Sequence, residues 1–142
     1  MSKTEKRARG DLGERAAVRY LRRRFFRVLD RNYRAGGAEI DVVAKRRRTL
    51  IFVEVKTRRL EPGKETCLTR PAAAVTPDKQ EHIVRAARIW LSRHPSPDLS
   101  IRFDVIEVLL DPNESRDRVK SVNHIEGAFF ARAYCGAPPH KS

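Results

Sequence analysis

The sequence is short of cysteine, of long apolar runs and of acid. Two cysteines in 142 residues, Cys67 and Cys135, cannot frame a disulfide-stapled fold, and neither stands in a CxxC or Cys/His spacing that holds zinc. Reduced thiols in a cytoplasm are therefore expected. No stretch approaches the roughly 20 apolar residues that a bilayer-spanning helix needs. The basic segment Met1–Arg9 is followed by no apolar signal core, so neither secretion nor a membrane partner is expected. Aromatics are few, and Tyr33 and Trp90 make no base-stacking platform; Trp90 is expected in the core. His82, His94, His124 and His140 lack ligand spacing and read as structural or exposed. There is no internal repeat.

The shortage of acid leaves 31 Lys and Arg against 18 Asp and Glu, a net charge of +13 that attracts polyanions through a long-range field. Its distribution is uneven. Residues 1–60 hold 19 basic and 7 acidic side chains, whereas residues 61–142 hold 12 and 11. The excess lies in the basic runs Arg22-Arg23-Arg24, Lys45-Arg46-Arg47-Arg48 and Arg58-Arg59, which suit phosphate contacts along a nucleic acid.

The length suits one domain, read as residues 10–130 between flexible termini at 1–9 and 131–142. From Leu12 to Phe26, apolar residues recur at helical spacing behind Arg15, Arg19, Arg22 and Arg23, with Asp11 as N-cap and Gly10 and Gly13 loosening the start. Strands follow at residues 28–33, 39–44 and 50–57, the second with Ile40 and Val42 alternating with Glu39 and Asp41. Residues 60–75, with Pro62, Gly63 and Pro71, read as a mobile loop. Thr76-Pro77-Asp78 opens a second helix that ends before Pro95, and residues 101–110 form a further strand. Residues 122–130 are apolar but of ambiguous state.

Glu54 and Lys56 lie two apart on the third strand, so both side chains leave the same face, roughly 7 Å apart along the backbone. Closing the hairpin brings Asp41 beside Glu54. Two acids and an amine in one place suit phosphodiester hydrolysis, because hard oxygen ligands hold Mg²⁺, or Mn²⁺ in its stead. Asp41, Glu54 and the Val55 carbonyl are the expected ligands, and Lys56, protonated beside the acids, orients water or stabilises charge on phosphate. Glu14 shares the helical stripe of Ala17, Val18 and Leu21 and completes the metal shell through water, or else favours the dipole of the helix N-terminus. Gln80 touches a phosphate or water, or is merely solvated. Glu39 is an accessory ligand or an arginine's partner, and Asp104 a structural pairing group.

This arrangement resembles the PD-(D/E)XK nuclease superfamily, here as Asp41 … Glu54-Val55-Lys56. More closely, the chain resembles the YraN family of bacterial endonuclease-like proteins, through Gly13-Glu14, Arg31-Asn32-Tyr33-Arg34, Glu39-Ile40-Asp41, Phe52 to Arg58, Lys79-Gln80 and Arg102 to Val105. Ala38 departs from the glycine common in that family, and Ile40 replaces the proline of the superfamily name. The resemblance implies a restriction endonuclease-like three-layer α/β/α core with a mixed central sheet, in the order α-β-β-β-α-β. It implies a Mg²⁺-dependent endonuclease acting on branched or damaged DNA, with catalytic Asp41, Glu54, Lys56 and Glu14, and a homodimer that pairs two sites. Gln80, Arg34, Arg46, Arg47, Arg48, Arg58 and Arg59 form the expected nucleic-acid contacts. Two other readings fit the composition: a nuclease fold that binds nucleic acid without cutting it alone, and an RNA-binding protein.

Overall fold

A computed structural model describes residues 2–60, 75–96, 98–112 and 115–131. The loop expected at 60–75 and the flexible tail expected at 131–142 fall almost wholly outside these residues, as do Cys67, Cys135 and His140.

The first helix, α1 (Lys3–Arg23), starts earlier than its apolar pattern. Ser2-Lys3-Thr4-Glu5 forms a capping box, in which the Glu5 amide donates to Ser2 Oγ at 3.1 Å and the Ser2 amide to Glu5 Oε2 at 3.2 Å. Asp11 therefore lies inside the helix rather than at its cap, and the segment set outside the domain forms its first turns. Gly13 is a packing position rather than a loosening one. A Cβ there would meet Thr57 Oγ1 at 1.7 Å, so the missing side chain lets α1 lie directly on the sheet. The helix closes with the Phe25 amide donating to Arg22 O at 3.1 Å and the Phe26 amide to Leu21 O at 2.9 Å, a Schellman motif.

Among the described residues five strands follow: β1 (Arg27–Ala35), β2 (Ala38–Arg46), β3 (Thr49–Arg59), β4 (Ser100–Leu110) and β5 (Val119–Phe129). The second helix, α2 (Pro77–Arg93), lies between β3 and β4 and is capped by Thr76, whose Oγ1 accepts from the Lys79 amide at 3.3 Å. Gly36 and Gly37, both at positive φ, make the tight β1–β2 turn. The sheet order is β1-β2-β3-β4-β5, antiparallel throughout except for the β3–β4 pair, which α2 connects as a crossover. β5 adds a strand to the expected order in the segment whose state was ambiguous. Its half-buried pattern and the register shifts of its pairing with β4 blur the alternation that marks a strand.

One helix covers each face, giving the expected three α/β/α layers around a mixed sheet. On the α2 face Ile40, Val43, Leu50, Phe52 and Phe103 pack with Ile83 and Trp90. On the α1 face Val42, Ala44, Ile51, Val53 and Ile106 pack with Ala17 and Leu21. Ile40 and Val42, expected on one face, thus lie on opposite ones. The strand loses its alternation at Asp41. Across from it, between the pairs Tyr33↔Ile40 and Arg31↔Val42, Asn32 takes a left-handed φ of 52°, a conformation asparagine tolerates better than most residues. Among the described residues no helix is long and apolar enough to cross a membrane.

Candidate active site

The irregularity at Asp41 builds the site. The β2–β3 ladder runs from Arg46↔Thr49 to Val42↔Val53. Beyond it, the Val55 amide donates to Asp41 Oδ2 at 2.7 Å, a side-chain bond that fixes the carboxylate against β3. Glu54, 5% exposed, leaves β3 toward α2 and lies within hydrogen-bond reach of Asp41. A half-buried and a buried carboxylate this close resist ionising together. Burial first, and then the charge of Glu54, push the Asp41 carboxyl up to about 7 against the lowering effect of the Val55 amide.

Glu54 has two cationic partners at one oxygen. Lys79 Nζ lies 2.5 Å and Lys56 Nζ 3.4 Å from Glu54 Oε2. Burial alone would lower the Lys79 pKa, but the hydrogen bond and charge of Glu54 outweigh it and raise it. Asp41, Glu54, Lys56 and Lys79 line a cleft of about 620 Å³, with Asp78 and exposed His82 also on its wall.

Glu14 approaches from the other side of the sheet. It accepts from Asn32 Nδ2 at 2.8 Å and from Arg31 Nη2 at 3.3 Å, so β1 fixes its direction. With Asp41 it lines a second cleft of about 490 Å³ on the α1 face, beside Arg34, Arg59, Lys6 and Arg7. Asp41 opens onto both clefts. Glu14 sits in mid-helix, far from the first turn, so the dipole reading does not account for it.

Asp41, Glu54 and Lys56 thus converge as the sequence predicts, while Glu14 adds its charge to Asp41 from the opposite face. Gln80 does not join them. Its Nε2 donates to Val75 O at 3.0 Å, and it lines a separate cleft with Val84 and Phe130. The neighbouring Lys79 takes the place in the acid cleft. A lysine in the first turn of a helix opposes the macrodipole, and that was the legible sign that it has an anionic partner. Glu39 pairs with Arg34 at 3.4 Å, and Arg58 with buried Glu107 at 3.3 Å. Arg46, Arg47 and Arg48 lie around the β2–β3 turn, roughly 17 Å along the strand from Asp41. Of the expected phosphate contacts, only Arg34 and Arg59 line a cleft that Asp41 shares.

Among the described residues no cluster of three or more His, Cys, Asp or Glu side chains is placed to hold a metal. The donor set available to a divalent cation is the Asp41–Glu54 pair with backbone oxygen, such as the Val55 carbonyl. That set fits a hard, largely hydrated ion, and the mutual repulsion of the pair is what such an ion would relieve.

A profile described as uncharacterised protein family UPF0102 matches residues 13–108, which include Glu14, Asp41, Glu54, Lys56 and Lys79. The chain is 45% identical over 122 residues to a UPF0102 protein of Chlorobium phaeobacteroides, covering 85% of this chain and 93% of the relative. It is 42% identical over 127 residues to one of Geotalea daltonii, covering 89% and 93%. A third, of Geobacter sulfurreducens, is 44% identical over 121 residues, covering 84% and 87%.

Proposed function

The chain belongs to the uncharacterised protein family UPF0102, and from its acid cleft we propose that it is a divalent-metal-dependent nuclease hydrolysing phosphodiester bonds, with DNA as its substrate. The observation that carries this reading is the contact of Asp41 with Glu54 in an open cleft whose other charged groups include two lysines. A structural carboxylate pair gains nothing from being crowded; a ligand pair does. The resemblance to PD-(D/E)XK nucleases and the net charge of +13 support the same conclusion.

Mg²⁺ or Mn²⁺, held by Asp41, Glu54 and the Val55 carbonyl, would supply Lewis-acid stabilisation of phosphate charge and a more acidic water. Asp41 must release its proton to bind the ion, so affinity rises as pH passes through about 7. Lys56, on the same face as Glu54, orients the attacking water or meets the charge developing on phosphate. Lys79, half-exposed at the start of α2, exchanges its contact with Glu54 for a phosphate oxygen as substrate arrives. Glu14 keeps Arg31 and Asn32 in place on the far side and raises the charge density at Asp41.

Purified protein with Mg²⁺ or Mn²⁺ is expected to cleave at least one of a panel of duplex, gapped, flapped and four-way-junction DNAs. Asp41→Asn and Glu54→Gln should each lower that rate by roughly a hundredfold to a thousandfold or more. Undiminished cleavage by both variants would sink the assignment. A second reading, nucleic-acid binding without hydrolysis, is favoured by one observation: Glu54 is already neutralised by two lysines. Tight binding of the same panel with no turnover under any metal would establish it.

A further inference from the structure

The outer face of α1 carries more positive charge than its structure needs. Arg15, Val18, Arg19, Arg22, Arg23 and Arg31 line a cleft of about 430 Å³. Arg31 is engaged with Glu14. Among the described residues no carboxylate pairs with Arg15, Arg19, Arg22 or Arg23. Like charges four apart on a helix repel. The dipole accounts for Arg22 and Arg23 in the last turn, but not for Arg15 and Arg19. Arg15, Arg19 and Arg23 rise about 6 Å apart along the helix, a ladder of planar donors suited to successive phosphates.

At the end of this ladder stands an aromatic ring with no structural duty. Phe25 is 86% exposed and holds φ at 67°, in the left-handed position of the Schellman motif that glycine fills at least cost. Phe26 makes the motif's burying contact instead, within the same core cluster as Leu21. The basic β2–β3 turn lies alongside, because Arg46 Nη1 donates to Arg24 O at 3.0 Å and its guanidinium covers the Phe26 ring at 4.3 Å. A strained, exposed ring directly after an arginine-bearing helix is what single-stranded nucleic-acid sites use: cations follow the backbone and the ring stacks on a base. We infer that the arginine face of α1 and Phe25 form a nucleic-acid site, distinct from the acid cleft, that binds a phosphate backbone beside an unpaired base.

Paired bases hide their faces in the duplex stack, so this site prefers gapped or tailed substrates. An anionic membrane would need a broad apolar face to enter, and this surface offers one ring. The inference shares with the proposed function the premise of a nucleic-acid ligand, but not that of hydrolysis.

The test is fluorescence anisotropy of the full chain in EDTA, with a labelled blunt duplex and the same duplex carrying a single-stranded tail. The protein binds the tailed form more tightly. Phe25→Ala weakens tailed binding about fivefold to tenfold and blunt binding less than about twofold. Phe25→Gly, which relieves the backbone, does the same and so separates stacking from folding. Replacing Arg15 and Arg19 by Gln weakens both ligands and flattens the salt dependence by about two charges. Tailed binding by both Phe25 variants at wild-type strength overturns the inference. So does a Phe25-dependent retention on phosphatidylglycerol vesicles without Phe25-dependent DNA binding, which assigns the face to lipid. Intact tail preference without cleavage refutes only the hydrolysis, and cleavage without the preference refutes only this site.

Discussion

Asp41 and Asp104 are both carboxylates taken largely out of water in the same sheet, and they titrate in opposite directions. Burial alone would raise Asp104, which is 0% exposed. Its hydrogen bonds outweigh that and hold it below the usual carboxylate range: His124 Nε2 lies at 2.7 Å, Arg102 donates through Nε and Nη2 at 2.8 and 2.9 Å, and the Gly127 amide donates at 3.0 Å. Asp41 has one backbone amide and, in place of an arginine, a second carboxylate. Asp104 ties β4 to β5, and its charge is satisfied by the fold. The Asp41 charge is not. A protein retains an unfavourable, poorly solvated charge where a proton, a cation or a substrate will answer it, which separates the structural Asp104 from Asp41.

The comparison breaks most visibly at Asp104. Asp104→Asn should cost about 3 kcal/mol of folding stability, because it takes the carboxylate from buried His124 and leaves Arg102 only its looser contact with Glu126. The lowered pKa sets the sign: wild type has this stabilisation above the unfolded value of 3.8 and loses it as pH falls below that value, whereas the variant lacks that acid-sensitive component. Urea unfolding at pH 7 and pH 3 checks both. Next in size is Gly13→Ala, expected to cost about 2 kcal/mol. The new methyl collides with Thr57, and the helix propensity it gains returns at most about 1 kcal/mol. Wild-type stability for Gly13→Ala would mean that α1 is not seated on β3 and that Glu14 is not held near Asp41.

Much of this arrangement was legible in the residues themselves. The apolar run of β3 with Glu54 and Lys56 on one face, the capped start of α2 and the pairing duty of Asp104 all follow from local pattern. Four features did not. The reversal of faces at Asp41 depends on Asn32 in the neighbouring strand, and strand periodicity cannot register a kink shared between two chain segments. The choice of Lys79 over Gln80 is a matter of one hundred degrees of helical rotation, below the resolution of an apolar stripe, and only the charge of Lys79 against the helix dipole pointed to it. The early start of α1 was written in Ser2 and Glu5, but its first turns are polar all round and carry no amphipathic signal. Gly13 read as a weak point of the helix because its partner, Thr57, is distant in sequence.

The smallest effect is the most telling. Asp41 keeps its proton in the folded chain over the interval from 3.8 to about 7, where the unfolded chain has lost it, so its contribution to stability falls as pH rises through that window. Asp41→Asn keeps the acceptor for the Val55 amide and removes the repulsion with Glu54. Denaturant unfolding of wild type and Asp41→Asn at pH 4 and pH 8, with and without Mn²⁺, therefore tests the central claim. Without metal, the two proteins should be near-equal in stability at pH 4 and the variant more stable by roughly 1 kcal/mol at pH 8, well short of the full shift because the half-buried carboxylate is partly screened by water. Mn²⁺ at pH 8 should stabilise wild type and leave the variant unchanged. A variant less stable than wild type at pH 8, or an equal response of both proteins to Mn²⁺, would contradict it.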